Sequence, residues 1–338
     1  MKTCKKNSPT YTIILIFFVV LVSNTILIPL LLVESCDPID KEALLEFKRG
    51  IQDNWFQRLG TWVPQTDCCT TWDDVTCDPA TGRVVKISLI GFWDEFGVDT
   101  AYGMEGTISP FVGNLTHLQI FNLRALAGIS GPIPSELGNE IPLDIGKLKH
   151  LTRIDLSYNH IYGSIPTSIG KLSQLQALLL PYNNLSGSIP TSITQLSQLQ
   201  DLHLDHNQLT GVIPTSVGKL SLLQNLFLDH NKLNGTIPSS IGNLKHLQVL
   251  EMVSNRLSGR IPKQLGNAKE LKRVLLSRNR LNGSIPSKVL NLEKLQVFDV
   301  SRNQLSGEIP AHNLSIPASA FSRNLGLCGA PLPPCKRL

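Results

Sequence analysis

Two dipeptides, Asp205-His206 and Asp229-His230, lie 24 residues apart, with Asp201, His203 and Glu251 close on either side. Carboxylates and imidazoles are the side chains that hold metal ions, move protons and change charge near neutral pH. Three uses follow: a shared metal, acid/base catalysis, or recognition of a partner whose strength depends on pH. Which one applies depends on the elements that carry these residues. Consecutive residues of a strand point to opposite faces, so neither dipeptide chelates an ion by itself. An open sheet also lacks the enclosed pocket that catalytic acids and bases need to shift their pKa values. The expectation is therefore a binding face with no cofactor, no metal and no enzymatic activity, in which His206 and His230 take up protons in a mildly acidic space and change partner affinity.

The elements come from self-similarity. Asn159, Asn183, Asn207, Asn231, Asn255, Asn279 and Asn303 recur every 24 residues, as do Gly163, Gly187, Gly211, Gly235, Gly259, Gly283 and Gly307. Each Gly is followed two residues later by Ile-Pro, from Ile165-Pro166 to Ile309-Pro310. A coil of this length cannot bury its own leucines, and stacking the coils joins them into one core. The period of two within each LxL segment predicts a strand that points Ile154, Leu178, Leu202 and Leu226 inward. Successive strands should pair in parallel, about 4.8 Å apart. Each Asn falls where the chain leaves the strand and can satisfy turn backbone groups.

The outward strand positions then form lanes. One carries Asp201 and Asn225, the next His203, Phe227 and Glu251, the third Asp205 and Asp229. A fourth runs Tyr158, Tyr182, His206, His230, Ser254, Arg278 and Arg302. Acidic groups beside Phe227, Tyr158 and Tyr182 have the composition of an interface centre. The candidate partner-binding residues are Tyr158, Tyr182, Asp201, His203, Asp205, His206, Phe227, Asp229, His230 and Glu251.

The repeat LxxLxxLxLxxNxLxGxIPxxIGxL is the leucine-rich repeat pattern, and its LxGxIP portion resembles the plant extracellular subtype. The resemblance implies an α/β solenoid, a right-handed superhelix with a parallel concave sheet between capped ends. Asp40 to Lys48 followed by Cys68-Cys69, Trp72 and Cys77 is similar to that subtype's N-terminal cap, and Gly326 to Cys335 to its C-terminal cap. By spacing alone Cys68, Cys69 and Cys77 leave zinc and disulfides open; the resemblance implies Cys36–Cys68, Cys69–Cys77 and Cys328–Cys335. The combination is similar to polygalacturonase-inhibiting proteins and to receptor-like leucine-rich repeat ectodomains. What that implies is a protein-binding module of the plant cell wall, either a defence inhibitor of a fungal pectin-cleaving hydrolase or a ligand-binding partner of membrane receptor kinases, with pectin as a further candidate ligand.

The first 35 residues read as a signal peptide: Lys2, Lys5 and Lys6, an apolar run to Leu32, then Val33 and Ser35 spaced for cleavage, with an uncleaved anchor as the rival. Removing them takes Cys4 away, leaves six of seven cysteines, and lowers the net charge from +5 to +3. No later stretch has the roughly 20 apolar residues of a membrane span. With 42% hydrophobic and 17% charged residues the chain is too apolar for disorder and too weakly basic for nucleic acid. The expected divisions are a signal peptide (1–35), an N-terminal cap (36–83), about nine coils (84–310) and a C-terminal cap (311–338), in a secreted, extracellular protein. Two irregularities interrupt the coils. About ten extra residues follow Leu89, expected near the concave rim, and Ile133-Pro134 and Ile141-Pro142 are only eight apart, which marks a partial repeat near 133–142. Five Asn-x-Ser/Thr sequons, at Asn114, Asn184, Asn234, Asn282 and Asn313, predict glycosylation, three of them in turns beyond the strands.

Overall fold

The computed structural model describes residues 36–53, 57–91, 104–126, 128–134 and 145–335. The signal-peptide segment, most of the insertion after Leu89 and most of the 133–142 irregularity lie outside the described residues.

Nine parallel strands form one sheet: Val84–Ile90, Ile120–Arg124, Arg153–Asp155, Ala177–Leu179, Asp201–His203, Asn225–Phe227, Val249–Glu251, Arg273–Leu275 and Val297–Asp299. Val75–Cys77 adds an antiparallel strand at the N-terminal edge. From Arg153 onward the register is 24 residues at each step, for example Asp201 opposite Asn225 and Asn225 opposite Val249. Inward positions Ile154, Leu178, Leu202 and Leu226 are buried in one continuous apolar core. Short strands on the next side of each coil form a second ladder, including His160–Ser164, Asn184–Ser186, Ser258–Arg260 and Arg280–Gly283. Single bridges at Ser188–Thr210, Val212–Asn234 and Thr236–Ser258 link its two halves.

The remaining side of each coil is a 3-10 turn started by the Pro of Ile-Pro, as at Thr167–Lys171, Thr191–Gln195 and Thr215–Lys219. A 24-residue coil leaves about five residues here, enough for a tight turn and too few for a stable α-helix. Among the described residues α-helix is confined to Pro38–Arg49 and the single turn Ser287–Leu290.

The repeat asparagines hold the coils together. Asn207 donates from Nδ2 to the carbonyls of Leu180, Leu204 and Asp205, and its Oδ1 accepts from the Leu185 amide. Asn183, Asn231, Asn279 and Asn303 repeat this set of bonds. Asn159 makes the donor bonds, but its buried Oδ1 has no partner. It follows the one step at which strands 33 residues apart are paired.

Both ends are closed by local chemistry. Asp37 caps the helix Pro38–Arg49 by accepting from the amides of Ile39 and Asp40. Asp40, wholly buried, accepts from the Arg83 guanidinium and from the Val84 amide, which ties the cap to the first strand. Trp62 stacks on Trp72 at 5.4 Å, both rings buried in the N-terminal cap. The three disulfides are Cys36–Cys68, Cys69–Cys77 and Cys328–Cys335, with Cα atoms 5.4, 5.3 and 4.9 Å apart. At the far end Asn324 continues the asparagine ladder, bonding Val300 and Leu305.

Candidate protein-binding face

Strand register brings the candidate residues together at the centre of the nine-stranded sheet. Asp201, His203, Asn225, Phe227 and Glu251 sit side by side on three adjacent strands. His203 lies against the Phe227 ring with centroids 4.3 Å apart. Asn225 donates to Asp201 at 2.6 Å, a partner the sequence did not suggest. Two arginines also enter the face: Arg153 pairs with Asp155, and Arg273 with Glu251. The charge of Glu251 is thus answered internally.

The outermost lane is a continuous stack of rings. Tyr158 and Tyr182 are 4.4 Å apart and 9° from parallel, Tyr182 and His206 4.0 Å and 12°, His206 and His230 4.4 Å and 22°. Arg124 extends over the outer face of Tyr158, 5.8 Å from its centroid. The backbone explains the alignment. Tyr158, Tyr182, His206, His230, Ser254, Arg278 and Arg302 all have φ between 50° and 58°. Left-handed backbone costs an ordinary residue about 1–2 kcal/mol. Here each residue's amide donates to a carbonyl of the next coil, as from Tyr182 to Asp205 at 3.2 Å and from His206 to Asp229 at 2.9 Å. The same strained bend in every coil projects every side chain in the same direction, and the rings stack.

Asp205 and Asp229 lie beside the ring stack, and both are buried rather than freely displayed. Asp205 is bonded to His206 Nδ1 at 3.0 Å, while Asp229 accepts from the Val253 amide. The expectation that an open face leaves its ionisable groups unshifted fails at this point. Burial pushes the Asp229 carboxyl up to about 7, reinforced by Glu251 and Asp205 and opposed by the Val253 amide. Burial likewise pushes His203 down, against the pull of Asp205 and Asp201. His230 is lowered by burial, then by His206 and Arg278.

Among the described residues the one group of three closely set potential metal-ligand atoms is Cys36, Cys68 and Cys69 in the N-terminal cap, where Cys36–Cys68 and Cys69–Cys77 are disulfides. The Asp-His dipeptides form no such group. Asn184, Asn234 and Asn282 are exposed on the second ladder, in strands or a strand bridge rather than in turns as expected. Asn313 is exposed in the C-terminal cap, and Asn114, half-buried, ends a 3-10 turn.

The matching families are the leucine rich repeat N-terminal domain at residues 37–78 and leucine rich repeats at 150–172, 174–196, 197–257 and 294–314. The crystal structure of a plant ice-binding protein is 31% identical, covers 90% of this chain and 99% of its own, and superposes with a TM-score of 0.68. The chain belongs to the leucine-rich repeat family. This leucine-rich repeat protein is 38% identical over 157 residues to DNA damage-repair/toleration protein DRT100 of Arabidopsis thaliana, covering 46% of this chain and 38% of that one. It is 33% identical over 145 residues to a polygalacturonase inhibitor of Vitis vinifera, covering 41% of this chain and 37% of that one. In both cases less than two fifths of the relative's length is spanned. Plant receptor-like proteins and receptor-kinase ectodomains with leucine-rich repeats are also relatives. No helix of the described residues is long and apolar enough to cross a membrane.

Proposed function

We propose that this leucine-rich repeat protein is a secreted plant protein-binding module that docks its partner on the nine-stranded concave face, and that the partner is a fungal polygalacturonase or a similar wall-degrading hydrolase, which it inhibits. One observation carries the reading: register gathers Asp201, His203, Phe227 and Glu251 on adjacent strands, alongside the Tyr158–His230 ring stack. A clustered set of acidic groups and partly covered rings, already oriented by neighbouring strands, loses little entropy on docking. The inhibitor relatives support the choice of target. Two lanes change residue type at every coil, and the other two keep one type for no more than two coils. A face matched to the periodic lattice of ice would repeat one side chain, so the mixed lanes favour protein recognition over the property named for the ice-binding relative.

The receptor-like relatives support a second reading, in which the same face engages a peptide or a receptor-kinase ectodomain. Titration of a purified fungal endopolygalacturonase with the full chain separates the two. Saturable inhibition at equimolar protein supports the first reading, and undiminished activity with tenfold excess protein removes it.

A further inference from the structure

The ring stack stops one coil short of a cation. After His230 the lane continues with Ser254, whose side chain is too small to cover a ring, and then with Arg278 and Arg302. Ser254 shares the left-handed bend, at φ 55°, and its amide bonds to Ser277 as the other lane residues bond to their neighbours. The coil is therefore regular, and what is missing is the side chain. His230, the last ring of the stack, is exposed. One structural fact marks the opening. Asn255, which follows Ser254, is half-buried while Asn159, Asn183, Asn207, Asn231, Asn279 and Asn303 are all buried.

Two coil steps separate the His230 and Arg278 positions, about 9–10 Å at the usual strand spacing. One planar ring in van der Waals contact on both sides needs roughly 7–8 Å. We propose that the gap over Ser254 is a subsite for a partner's aromatic side chain, which continues the stack on the His230 ring and lies under the Arg278 guanidinium. The proposal rests on the concave-face reading above and names a chemical requirement on the partner: a Trp, Tyr or Phe exposed on its docking surface. An aromatic ring gains on both sides, by ring stacking on one and cation–π attraction on the other. A lysine or arginine would face Arg278 and Arg302, neither of which has an acidic ion-pair partner among the described residues, and an aliphatic group would gain neither term. Burial, His206 and Arg278 all favour the neutral imidazole at His230, which suits it as a stacking surface. The chain itself shows that rings fit this bend, since Tyr158 and Tyr182 hold them at φ 58° and 55°.

The test uses the full chain and capped tripeptides, acetyl-Gly-Trp-Gly-amide against acetyl-Gly-Leu-Gly-amide, with the histidine ring protons followed by NMR. The Trp peptide should shift the His230 signals saturably and upfield, and the Leu peptide should not. Ser254→Tyr fills the gap with the protein's own ring and should abolish the shift, while Ser254→Ala should keep it. Arg278→Ala, which leaves the backbone bend in place, should weaken the peptide about fivefold or more. Equal responses to the two peptides, a Trp response that survives Ser254→Tyr, or no response at all would overturn the proposal. A response to trigalacturonate in place of the Trp peptide would overturn it in favour of a sugar ring. If Ser254→Tyr removes the tripeptide response but leaves polygalacturonase inhibition intact, the subsite stands as an aromatic-binding site and its link to the hydrolase partner falls; if no protein partner binds the face while the tripeptide still does, the concave-face reading falls alone.

Discussion

Asp229 gives the most quantitative consequence of the face. Its carboxyl is raised from 3.8 to about 7. At about 1.4 kcal/mol for each pH unit, the folded state can lose up to about 4 kcal/mol when this group must ionise. The sign follows from which state holds the proton more tightly. Well below pH 3.8 both states are protonated and the group is without effect. As pH rises the unfolded chain ionises first while the folded chain keeps its proton, so stability declines until about pH 7 and levels off above it. Asp229→Asn keeps an oxygen for the Val253 amide and removes the titration. Urea denaturation of both proteins at pH 4, 5.5, 7 and 8 reads the difference directly. The variant's margin over the wild type should be under about 1 kcal/mol at pH 4 and about 2–4 kcal/mol at pH 8, rising steadily between pH 4 and 7. A difference that does not change with pH, or a variant less stable than the wild type at pH 8, would refute the claim that a buried carboxyl is being ionised at cost on this face.

Two further outcomes concern the scaffold. Asn207→Ala strips partners from the Leu185 amide and three carbonyls and should cost about 2–4 kcal/mol. Asn159→Ala removes a side chain whose Oδ1 already lacks a partner and should cost about 1 kcal/mol less by the same urea measurement. Asp40→Ala leaves the Arg83 guanidinium and the Val84 amide without their buried acceptor. A loss of about 3–5 kcal/mol is expected, with hydrogen exchange rising first in the helix Pro38–Arg49 rather than in the central coils.

The coil architecture was legible because a solenoid writes its period into the chain: each Asn207-type residue bridges two coils, so its recurrence reports stacking as well as turns. The lanes followed from the period by counting, which is why Asp201, Asn225 and Val249 stand where register places them. Counting could not show how close neighbouring side chains stand. The burial of Asp229, the ring contacts at 4.0 to 4.4 Å and the pairing of Arg273 with Glu251 depend on distances set by the left-handed bend and the tight sheet spacing. The bend itself was hidden because Tyr, His and Arg occupy it in place of the Gly or Asn that would have marked it. Asp40 was equally hidden, since an acidic residue in a first helical turn ordinarily reads as a solvated partner of the helix dipole.

Docking on the concave face is tested by the inhibition constant against a purified fungal endopolygalacturonase for three proteins: the wild type, Phe227→Ala on the concave face, and Val212→Ser, exposed on the second ladder. Inhibition by the wild type is expected, with a loss of about tenfold or more for Phe227→Ala and no change for Val212→Ser. Equal inhibition by Phe227→Ala and the wild type, or an equal loss in both variants, would contradict docking there.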